Sequence, residues 1–437
     1  LNRDPPQLKG LEKGTSLLKF KSLDQFKNLV SILDHSLVFV QGPPGTGKTF
    51  LTSRVVVDLI SHGYKIGVTS NSHKAILNML LKIVNRAEDE NVVFRGAKKS
   101  SKDDTSQHFS STLEKNLYIS DVFKVDELID GDFDLLAGTA WFFANERLNQ
   151  KIDYLIIEEA GQMSLATAIA AGTCAKNLIL VGDQNQLEQP IQGIHPNDSG
   201  MSVINYYLKK DENSEEIHAV VPEDKGVFLD RTHRLHPKIC DFVSEAFYGS
   251  KILPLRQNIQ RELIWEKNLE RNIKGAGIRL LLTAHEGCSK VSRAEAIEVK
   301  QVFNSLLKHA SLKVGDSIRR IQAKDILVIA PYNMQVELLR NFLPEGSKVG
   351  TIDKFQGQEA EVVIVSMTTS GPEEIGRDAN FLFSKNRLNV ALTRAKCLAI
   401  VLFSARLLTF PCRTPEQINL LNTFCWLQQR YASEDET

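Results

Sequence analysis

A glycine-rich stretch between an apolar run and a helical pattern constrains this chain most. The apolar run Leu37–Val40 leads into it and helical spacing over Phe50–Ile60 follows. In such an arrangement, backbone N–H groups of the turn and the helix N-terminus surround a phosphate. Lys48 can then reach the β- and γ-phosphates, and the Thr49 hydroxyl can bind Mg²⁺. The sequence therefore predicts that the chain binds a nucleoside triphosphate through Gly42, Pro43, Pro44, Gly45, Thr46, Gly47, Lys48 and Thr49.

Length, charge and cysteine usage narrow the class of protein. At 437 residues the chain exceeds one core, so two or three domains are expected. Lys plus Arg and Asp plus Glu are equal at 53 each, which argues against a duplex-coating protein but not against a motor with a locally basic groove. The six cysteines form no C-x-x-C pair, which predicts reduced thiols. Since no apolar run has membrane-spanning length, we expect no membrane partner and a cytoplasmic or at least intracellular location, with the nucleus left open.

Short apolar segments, separated by helical patterns, predict an α/β protein with parallel sheets. The pattern restarts after a polar break, with a strand predicted at Gly226–Leu229, but no second phosphate loop follows. We predict a first domain at 1–221, with a small insertion around 85–133, and a second domain at 222–437. The polar run Lys98–Gln107 within the insertion is expected to be a mobile loop. One domain with a phosphate loop and one without suggest a nucleotide held in a cleft between them.

Polar side chains follow two predicted strands of the first half. Glu158 and Glu159 end the apolar strand that contains Ile156 and Ile157. In a phosphate-loop enzyme, the first carboxylate should hold Mg²⁺ and the second should orient and deprotonate the attacking water. Gln186 follows the next strand and is expected at the same sheet edge, where its amide can sense the γ-phosphate. These residues predict nucleotide hydrolysis.

The order of these motifs resembles that of superfamily 1 helicases. The phosphate loop, Glu158–Gln162 and Gly182–Leu187 look like motifs I, II and III of that superfamily. The resemblance continues through the arginine-bearing motif and motifs V and VI, at Leu229–Pro237, Val349–Glu359 and Arg387–Ala395. It implies two tandem RecA-like domains of the P-loop NTPase class, with ATP and Mg²⁺ as cofactors.

A narrower resemblance is to superfamily 1B, in the branch of the nonsense-mediated-decay and senataxin-like helicases. Glu159–Ala166 and Gln189–Pro196 also look like bacterial helicases fused to a RecB-like nuclease. This resemblance implies 5′→3′ movement, and a nuclease domain N-terminal to Leu1 in the full-length protein is an open expectation. The chain departs from the family pattern at Glu158, where Asp is usual, and at His233, where Tyr is usual.

Carried over position by position, the resemblance implies further roles around the nucleotide. Gln25 would read the adenine edge, His233 would face the adenine, and Glu359 would contact the ribose beside Gly357. Arg234 and Arg394 would act as arginine fingers that stabilise charge on the transferring phosphoryl group.

The resemblance also implies a path for nucleic acid over both domains. Small hydroxyl residues and backbone N–H groups suit contacts to phosphates and sugars that do not depend on sequence. An aromatic side chain at Tyr332 could stack on a base. The candidate contacts are Ser70, Asn71, Thr139, Pro331, Tyr332, Thr351, Asp353 and Asn389.

These observations predict a monomeric ATP-dependent helicase or translocase on single-stranded nucleic acid, with DNA favoured slightly over RNA. An ATP-gated nucleic-acid clamp is the alternative, because Glu158 could impair turnover. A third possible class is a GTPase switch. The sequence lacks the Asn-Lys-x-Asp motif that such proteins use to recognise guanine, and a switch would not need a second α/β domain.

Overall fold

Two compact units make up the chain in a computed structural model. The structure describes residues 2–20, 22–112, 118–189, 193, 195–211, 216–266, 273, 275–376 and 379–431. The first unit comprises Leu1–Gln184 and Glu188–Leu229, and the second comprises Asn185–Leu187 and Asp230–Thr437.

The first unit alternates strands and helices. Its strands are β1 (Leu37–Gln41), β2 (Ile66–Thr69), β3 (Gly96–Lys99), β4 (Ile119–Val122), β5 (Leu135–Gly138), β6 (Ile152–Glu158), β7 (Ala175–Gly182) and β8 (Gly226–Phe228). Its helices are α1 (Leu23–Ser31), α2 (Lys48–Ser61), α3 (His73–Glu90), α4 (Val125–Asp130), α5 (Ala140–Phe143), α6 (Leu165–Gly172) and α7 (Val203–Tyr207). Short 3₁₀ helices lie at Leu18–Phe20, Thr105–Gln107, Glu146–Leu148, Ala160–Gln162 and Asn197–Gly200.

All strands of the first unit join one eight-stranded sheet in the order β4-β3-β5-β2-β6-β7-β1-β8. Every pair in it is parallel. All residues of β1, β2 and β5 are buried, as expected for strands covered on both faces. Apolar residues of α1, α2 and α3 share one core with those of the central strands. The predicted α/β fold is confirmed.

The segment around 85–133, predicted to be a small insertion, forms part of the main sheet of the first unit. It begins within α3 and contributes β3 and β4, which extend the main sheet next to β5. The polar run after β3 is anchored as well, because Lys98 is fully buried. The Lys98 ammonium donates to Ser100 Oγ at 3.0 Å and to the Gln107 carbonyl at 2.5 Å.

The strand predicted to open the second domain belongs to the first unit instead. β8 pairs with β1, with Val227 opposite Val40, and the Leu229 N–H donates to the Gln41 carbonyl at 2.9 Å. The two units therefore divide after Leu229 rather than before Pro222. A short apolar strand gives no sign in sequence of the sheet that it joins, so this expectation was wrong.

The second unit contains a smaller parallel sheet and an antiparallel one. Its strands are β9 (Arg231–Thr232), β10 (Leu253–Pro254), β11 (Arg261–Trp265), β12 (Gly277–Leu282), β13 (Ala310–Val314), β14 (Ser317–Arg320), β15 (Ile326–Ile329), β16 (Lys348–Gly350), β17 (Ala360–Ser366) and β18 (Ala395–Phe403). Its helices are α8 (Pro237–Tyr248), α9 (Arg293–His309), α10 (Asn333–Phe342), α11 (Pro372–Ile375), α12 (Ala379–Leu382), α13 (Lys385–Thr393) and α14 (Pro415–Tyr431). Short 3₁₀ helices lie at Arg256–Gln260, Ala323–Asp325, Asp353–Phe355 and Ala405–Thr409.

The parallel sheet of the second unit has five strands in the order β12-β18-β17-β15-β16. Its apolar strand residues pack with α9 and α10 in a second core, as the RecA-like expectation requires. A separate three-stranded sheet, β11-β13-β14, is antiparallel and was not predicted. Among the helices that the structure describes, none is both long enough and apolar enough to cross a membrane.

Candidate nucleotide site and strand contacts

The loop between β1 and α2 has the backbone conformation that a phosphate-binding turn needs. Gly45 and Gly47 have φ values of 76° and 88°, in the left-handed region that only glycine enters freely. A Cβ added at Gly42 would lie 2.1 Å from Cγ of Lys48, so any larger residue would displace the lysine. The loop is tied to the sheet because the Gly42 N–H donates to the Gly182 carbonyl at 2.9 Å.

The side chains of the loop are held by its own backbone. The Lys48 ammonium donates to the Gly42 carbonyl, and the Thr46 hydroxyl donates to the Pro43 carbonyl at 2.8 Å. Lys48 and Thr49 are the first two residues of α2, whose unsatisfied N–H groups and partial positive charge face an anion well. This end of α2 can therefore hold the phosphates of a nucleotide.

Glu158 and Glu159 lie at the carboxyl end of β6, next to the end of β7. Glu158 pairs in register with Val181, and Gln41 at the end of β1 pairs with Gly182. The carboxylates therefore share a sheet edge with the phosphate loop. Glu159 has a φ of 53°, a conformation that costs a non-glycine residue on the order of 1 kcal/mol.

Glu158 is a buried carboxylate that the fold leaves partly unsatisfied. It is 5% exposed, and its Oε1 has no hydrogen-bond partner. Burial raises the pKa of Glu158 to about 8; the charge of Glu159 adds to the rise, and Lys48 opposes it. A cation beside this carboxylate would offset the cost of its burial.

The donors in this region fit Mg²⁺. Mg²⁺ prefers hard oxygen ligands and retains several waters, so it needs few protein groups. The Thr49 hydroxyl and the Glu158 carboxylate are such donors, and the unpartnered Oε1 of Glu158 is an acceptor without a protein donor. These two residues are therefore the candidates to hold the cation.

Gln186 lies in a segment that belongs to the second unit. Asn185–Leu187 clusters with that unit rather than with the strand that precedes it. Two partly buried hydrogen bonds hold the segment there, since Asn185 Nδ2 donates to the Phe247 carbonyl at 2.9 Å and Asn389 Nδ2 donates to the Asn185 carbonyl at 2.7 Å. The sequence had placed Gln186 in the first domain.

Arg234 and Glu359, both predicted to face the nucleotide, form an ion pair within the second unit. Arg234 Nε lies 2.5 Å from Glu359 Oε2, and its Nη1 donates to the Thr393 carbonyl at 3.2 Å. Lys396 Nζ lies 2.7 Å from the other oxygen of Glu359. Burial alone would raise the pKa of Glu359, but Arg234 and Lys396 outweigh it and hold this pKa below its ordinary value.

Arg394, the other predicted finger, is 3% exposed. Its Nε donates to the Val390 carbonyl at 3.2 Å and its Nη1 to the Gln358 carbonyl at 3.1 Å. The guanidinium thus joins the motif VI helix α13 to the segment before β17. Both of these hydrogen bonds are to backbone of the second unit, and the role of Arg394 as an arginine finger stays a prediction.

The predicted base and ribose contacts lie on exposed positions. Gln25 is the third residue of α1, where its Oε1 accepts from the Ser22 N–H at 3.2 Å in a capping box. His233 is exposed beside β9, and Gly357 is exposed with a φ of 75°. These residues keep their predicted roles as proposals.

The strand contacts predicted in the first unit meet at one sheet edge. β2 and β5 are paired with Thr69 opposite Gly138, so Ser70 and Thr139 follow neighbouring strand ends. Asn71 is exposed, and its Nδ2 donates to the Gln162 carbonyl. Ser70 is 1% exposed, and its hydroxyl has no hydrogen-bond partner.

In the second unit, the predicted contacts follow β15 and β16. Pro331, Tyr332 and Thr351 are partly exposed, and Asp353 is exposed. Asn389 is different, because it has 0% exposure and its amide donates to the Tyr248 hydroxyl at 2.8 Å. A strand contact at Asn389 does not agree with this burial, since its side chain serves the interior of the unit.

A cationic and aromatic row, which sequence reasoning missed, runs beside Tyr332. The rings of Tyr332 and Phe381 lie 5.7 Å apart, and the Arg387 guanidinium lies 4.2 Å from the Phe381 ring. Arg387 also pairs with Asp353 at 3.2 Å. The two aromatic residues are far apart in sequence, so only the fold brings them together.

Comparison with known proteins agrees with the class of protein that the motifs predict. Models of an AAA domain match residues 22–195 and 206–406. The DNA replication ATP-dependent helicase/nuclease JHS1 of Arabidopsis thaliana is 25% identical over 91% of this chain and 29% of its own length. The DNA replication ATP-dependent helicase/nuclease DNA2 of Xenopus laevis is 26% identical over 85% of this chain and 36% of its own length. The chain thus spans about a third of these relatives.

A solved structure also resembles the chain. An arterivirus nonstructural protein 10 helicase in complex with DNA matches with a TM-score of 0.44 and 14% identity, covering 88% of this chain and 63% of that one. This likeness supports no further conclusion. The AAA-domain matches and the relatives named as ATP-dependent helicases support the resemblance of the motifs to superfamily 1 helicases.

Proposed function

We propose that the chain is the ATP-dependent motor of a DNA helicase, moving along single-stranded nucleic acid. One observation carries the proposal: the phosphate loop, Lys48, Glu158 and Glu159 share one edge of the first sheet. The related sequences named as DNA replication helicases support DNA as the nucleic acid.

Each residue of this edge has a chemical task in ATP hydrolysis. Lys48 and the N-terminus of α2 neutralise the phosphates, and Glu159 accepts a proton from the attacking water. Mg²⁺, when bound through Thr49 and Glu158, supplies positive charge that stabilises the transferring phosphoryl group. Arg234 and Arg394 add positive charge from the second unit, and Gln186 senses the γ-phosphate.

The grip on nucleic acid is proposed to be independent of sequence. Asn71 and Thr139 in the first unit, and Thr351 and Tyr332 in the second, offer hydrogen bonds and one stacking ring. Such groups bind phosphates, sugars and base faces rather than base edges. The strand therefore needs no particular sequence to be held.

Finer properties of the motor rest on resemblance. We propose membership of superfamily 1B, 5′→3′ movement, a slight preference for DNA over RNA, an intracellular location and a monomeric motor. Because the related sequences are named helicase/nucleases, we also propose a nuclease domain N-terminal to Leu1 in the full-length protein. Half of the segment Gln189–Pro196, which carries part of the narrower match, lies outside the described residues.

One observation favours the alternative of an ATP-gated clamp. Burial raises the pKa of Glu158 to about 8, so Mg²⁺ must displace a proton to bind through this carboxylate at neutral pH. A clamp would bind ATP and a strand but turn ATP over slowly. Turnover in the presence of a strand separates the two candidates.

Strand binding is expected to be tolerant of sequence and sensitive to salt. Between 50 and 200 mM salt, affinity should fall by about 20- to 100-fold if three to five phosphates are neutralised. Homopolymers of equal length should bind within about tenfold of each other at fixed salt. Fluorescence anisotropy with labelled DNA and RNA strands measures both quantities, with a duplex of the same length as control. A preference above about a hundredfold for one sequence would contradict phosphate and stacking contacts as the source of affinity.

A further inference from the structure

Trp141 is an exposed aromatic side chain for which the sequence motifs give no role. It is 88% exposed, whereas large apolar side chains normally lose most of their surface to the core. The other tryptophans are partly buried: Trp265 Nε1 donates to the Ile273 carbonyl, and the Trp426 ring lies 5.2 Å from Phe242. Trp141 therefore has a surface available to a ligand.

The local fold holds Trp141 at the edge where strand contacts are proposed. β5 ends at Gly138, Thr139 follows as the N-cap residue of α5, and Trp141 is the second residue of that helix. The next two residues anchor the helix, because Phe142 and Phe143 are 5% and 0% exposed. Their rings contact each other edge to face at 4.9 Å. The buried pair fixes the short helix and leaves Trp141 outside.

Two further observations at this edge indicate a negatively charged ligand, such as a single strand of nucleic acid. The Ser70 hydroxyl, beyond the neighbouring end of β2, is buried and lacks a hydrogen-bond partner, so it can donate to a phosphate. Lys99 ends β3 on the other side of β5, and a Cβ at Gly138 would lie 3.3 Å from the Lys99 Cβ. The Ser70 hydroxyl, Lys99 and the exposed Trp141 ring therefore belong to residues that flank the end of β5, and the Lys99 ammonium donates to the Ser100 carbonyl at 2.9 Å.

We propose that Trp141 stacks on a base of the bound single strand while Ser70 and Lys99 contact its backbone. This inference rests on the proposed function and adds a binding residue to it. An indole ring offers a large flat face, and stacking accepts every base because every base has a π-face. Trp141 would give the first unit a base contact, as Tyr332 is proposed to do in the second.

The test compares Trp141→Ala, Trp141→Phe and a control on a labelled oligo-dT strand at fixed salt. Val93→Ala is the control, because Val93 is 87% exposed but precedes β3, at the opposite edge of the sheet. Trp141→Ala should raise the Kd by about 5- to 150-fold, as base stacking does elsewhere. Trp141→Phe should retain most of the affinity, and Val93→Ala should bind like the unchanged protein.

A strand of the same length with abasic sites distinguishes stacking from other roles. On that strand, the loss caused by Trp141→Ala should disappear, because no base remains to stack. A loss that persists there, equal losses for Ala and Phe, or a Kd within twofold of the unchanged protein would each overturn the inference. If the unchanged protein binds no strand at all, the proposed function fails instead.

A second measurement does not depend on removing the ring. In a Trp265→Phe/Trp426→Phe protein, Trp141 is the sole fluorophore of its kind. Oligo-dT should quench its fluorescence in a saturable way, and the abasic strand should quench it much less. Equal fluorescence with and without a saturating strand would place Trp141 away from the bases.

Discussion

Glu159→Gln is expected to bind ATP normally and to hydrolyse it about 10²- to 10⁴-fold more slowly. The amide matches the carboxylate in size and hydrogen-bonding reach but cannot accept a proton from water. Glu159 also has a left-handed backbone, with a φ of 53°, which Gln tolerates no worse than Glu. The substitution therefore changes the chemistry of the residue without changing its placement.

The measurement is ATP turnover at saturating strand and Mg²⁺, together with the Kd for a fluorescent ATP analogue. Glu146→Gln is the matched control, since Glu146 is an exposed carboxylate in the same unit outside the nucleotide site. The control should keep full turnover. Normal turnover by Glu159→Gln would show that the base lies on another residue.

Arg234→Gln should lower strand-stimulated turnover by about 10³- to 10⁵-fold, the range found for arginine fingers in NTPases. The guanidinium is fixed in the second unit by Glu359 and the Thr393 carbonyl. A fixed cation stabilises developing negative charge without the cost of reorganising at the moment of reaction. Gln at this position keeps a hydrogen bond but loses the charge.

Glu359→Gln tests whether Arg234 acts on the nucleotide as an arginine finger or only as the ion-pair partner of Glu359. It breaks the same pair while leaving the Arg234 cation in place. At saturating ATP, Glu359→Gln should therefore lose far less turnover than Arg234→Gln. If both variants lose the same amount, Arg234 matters only through its pair with Glu359, and the assignment as a finger is wrong.

The sequence predicted the structure best in segments whose local backbone conformation allows only a few residue types. The apolar strand, the glycine turn and the helix that begins at Lys48 are present as expected, because positive φ values at Gly45 and Gly47 leave little choice of residue. The position of Glu158 opposite Val181, near the end of β7, agrees with the rule that parallel strand ends share an edge.

Features set by distant contacts could not be predicted. The polar composition of Lys98–Gln107 predicts a mobile loop, yet Lys98 is buried, and hydrogen bonds to Ser100 and the Gln107 carbonyl compensate for its burial. β11, β13 and β14 mix charged and apolar residues, so their antiparallel sheet has little apolar signal. Asn389 lies in the predicted motif VI, but its side chain is buried and donates hydrogen bonds to the Asn185 carbonyl and the Tyr248 hydroxyl.

The candidate nucleotide site likewise combines features that the sequence predicted with features that depend on contacts between distant residues. Residue types and their order identified the nucleotide chemistry, whereas the partners of each side chain did not follow from sequence. The pairing of Arg234 with Glu359 joins residues that are far apart in the chain, and only the fold of the second unit brings them together. The same is true of Tyr332 and Phe381.

The rate of ATP hydrolysis with and without single-stranded nucleic acid tests the motor assignment most directly. In the proposed function, the residues that act on ATP come from both units, so we expect a strand bound as proposed to favour the conformation in which all of them act. A single-stranded DNA oligomer should therefore raise turnover by at least tenfold at saturating ATP and Mg²⁺. An equal rate with and without DNA or RNA strands would contradict the account.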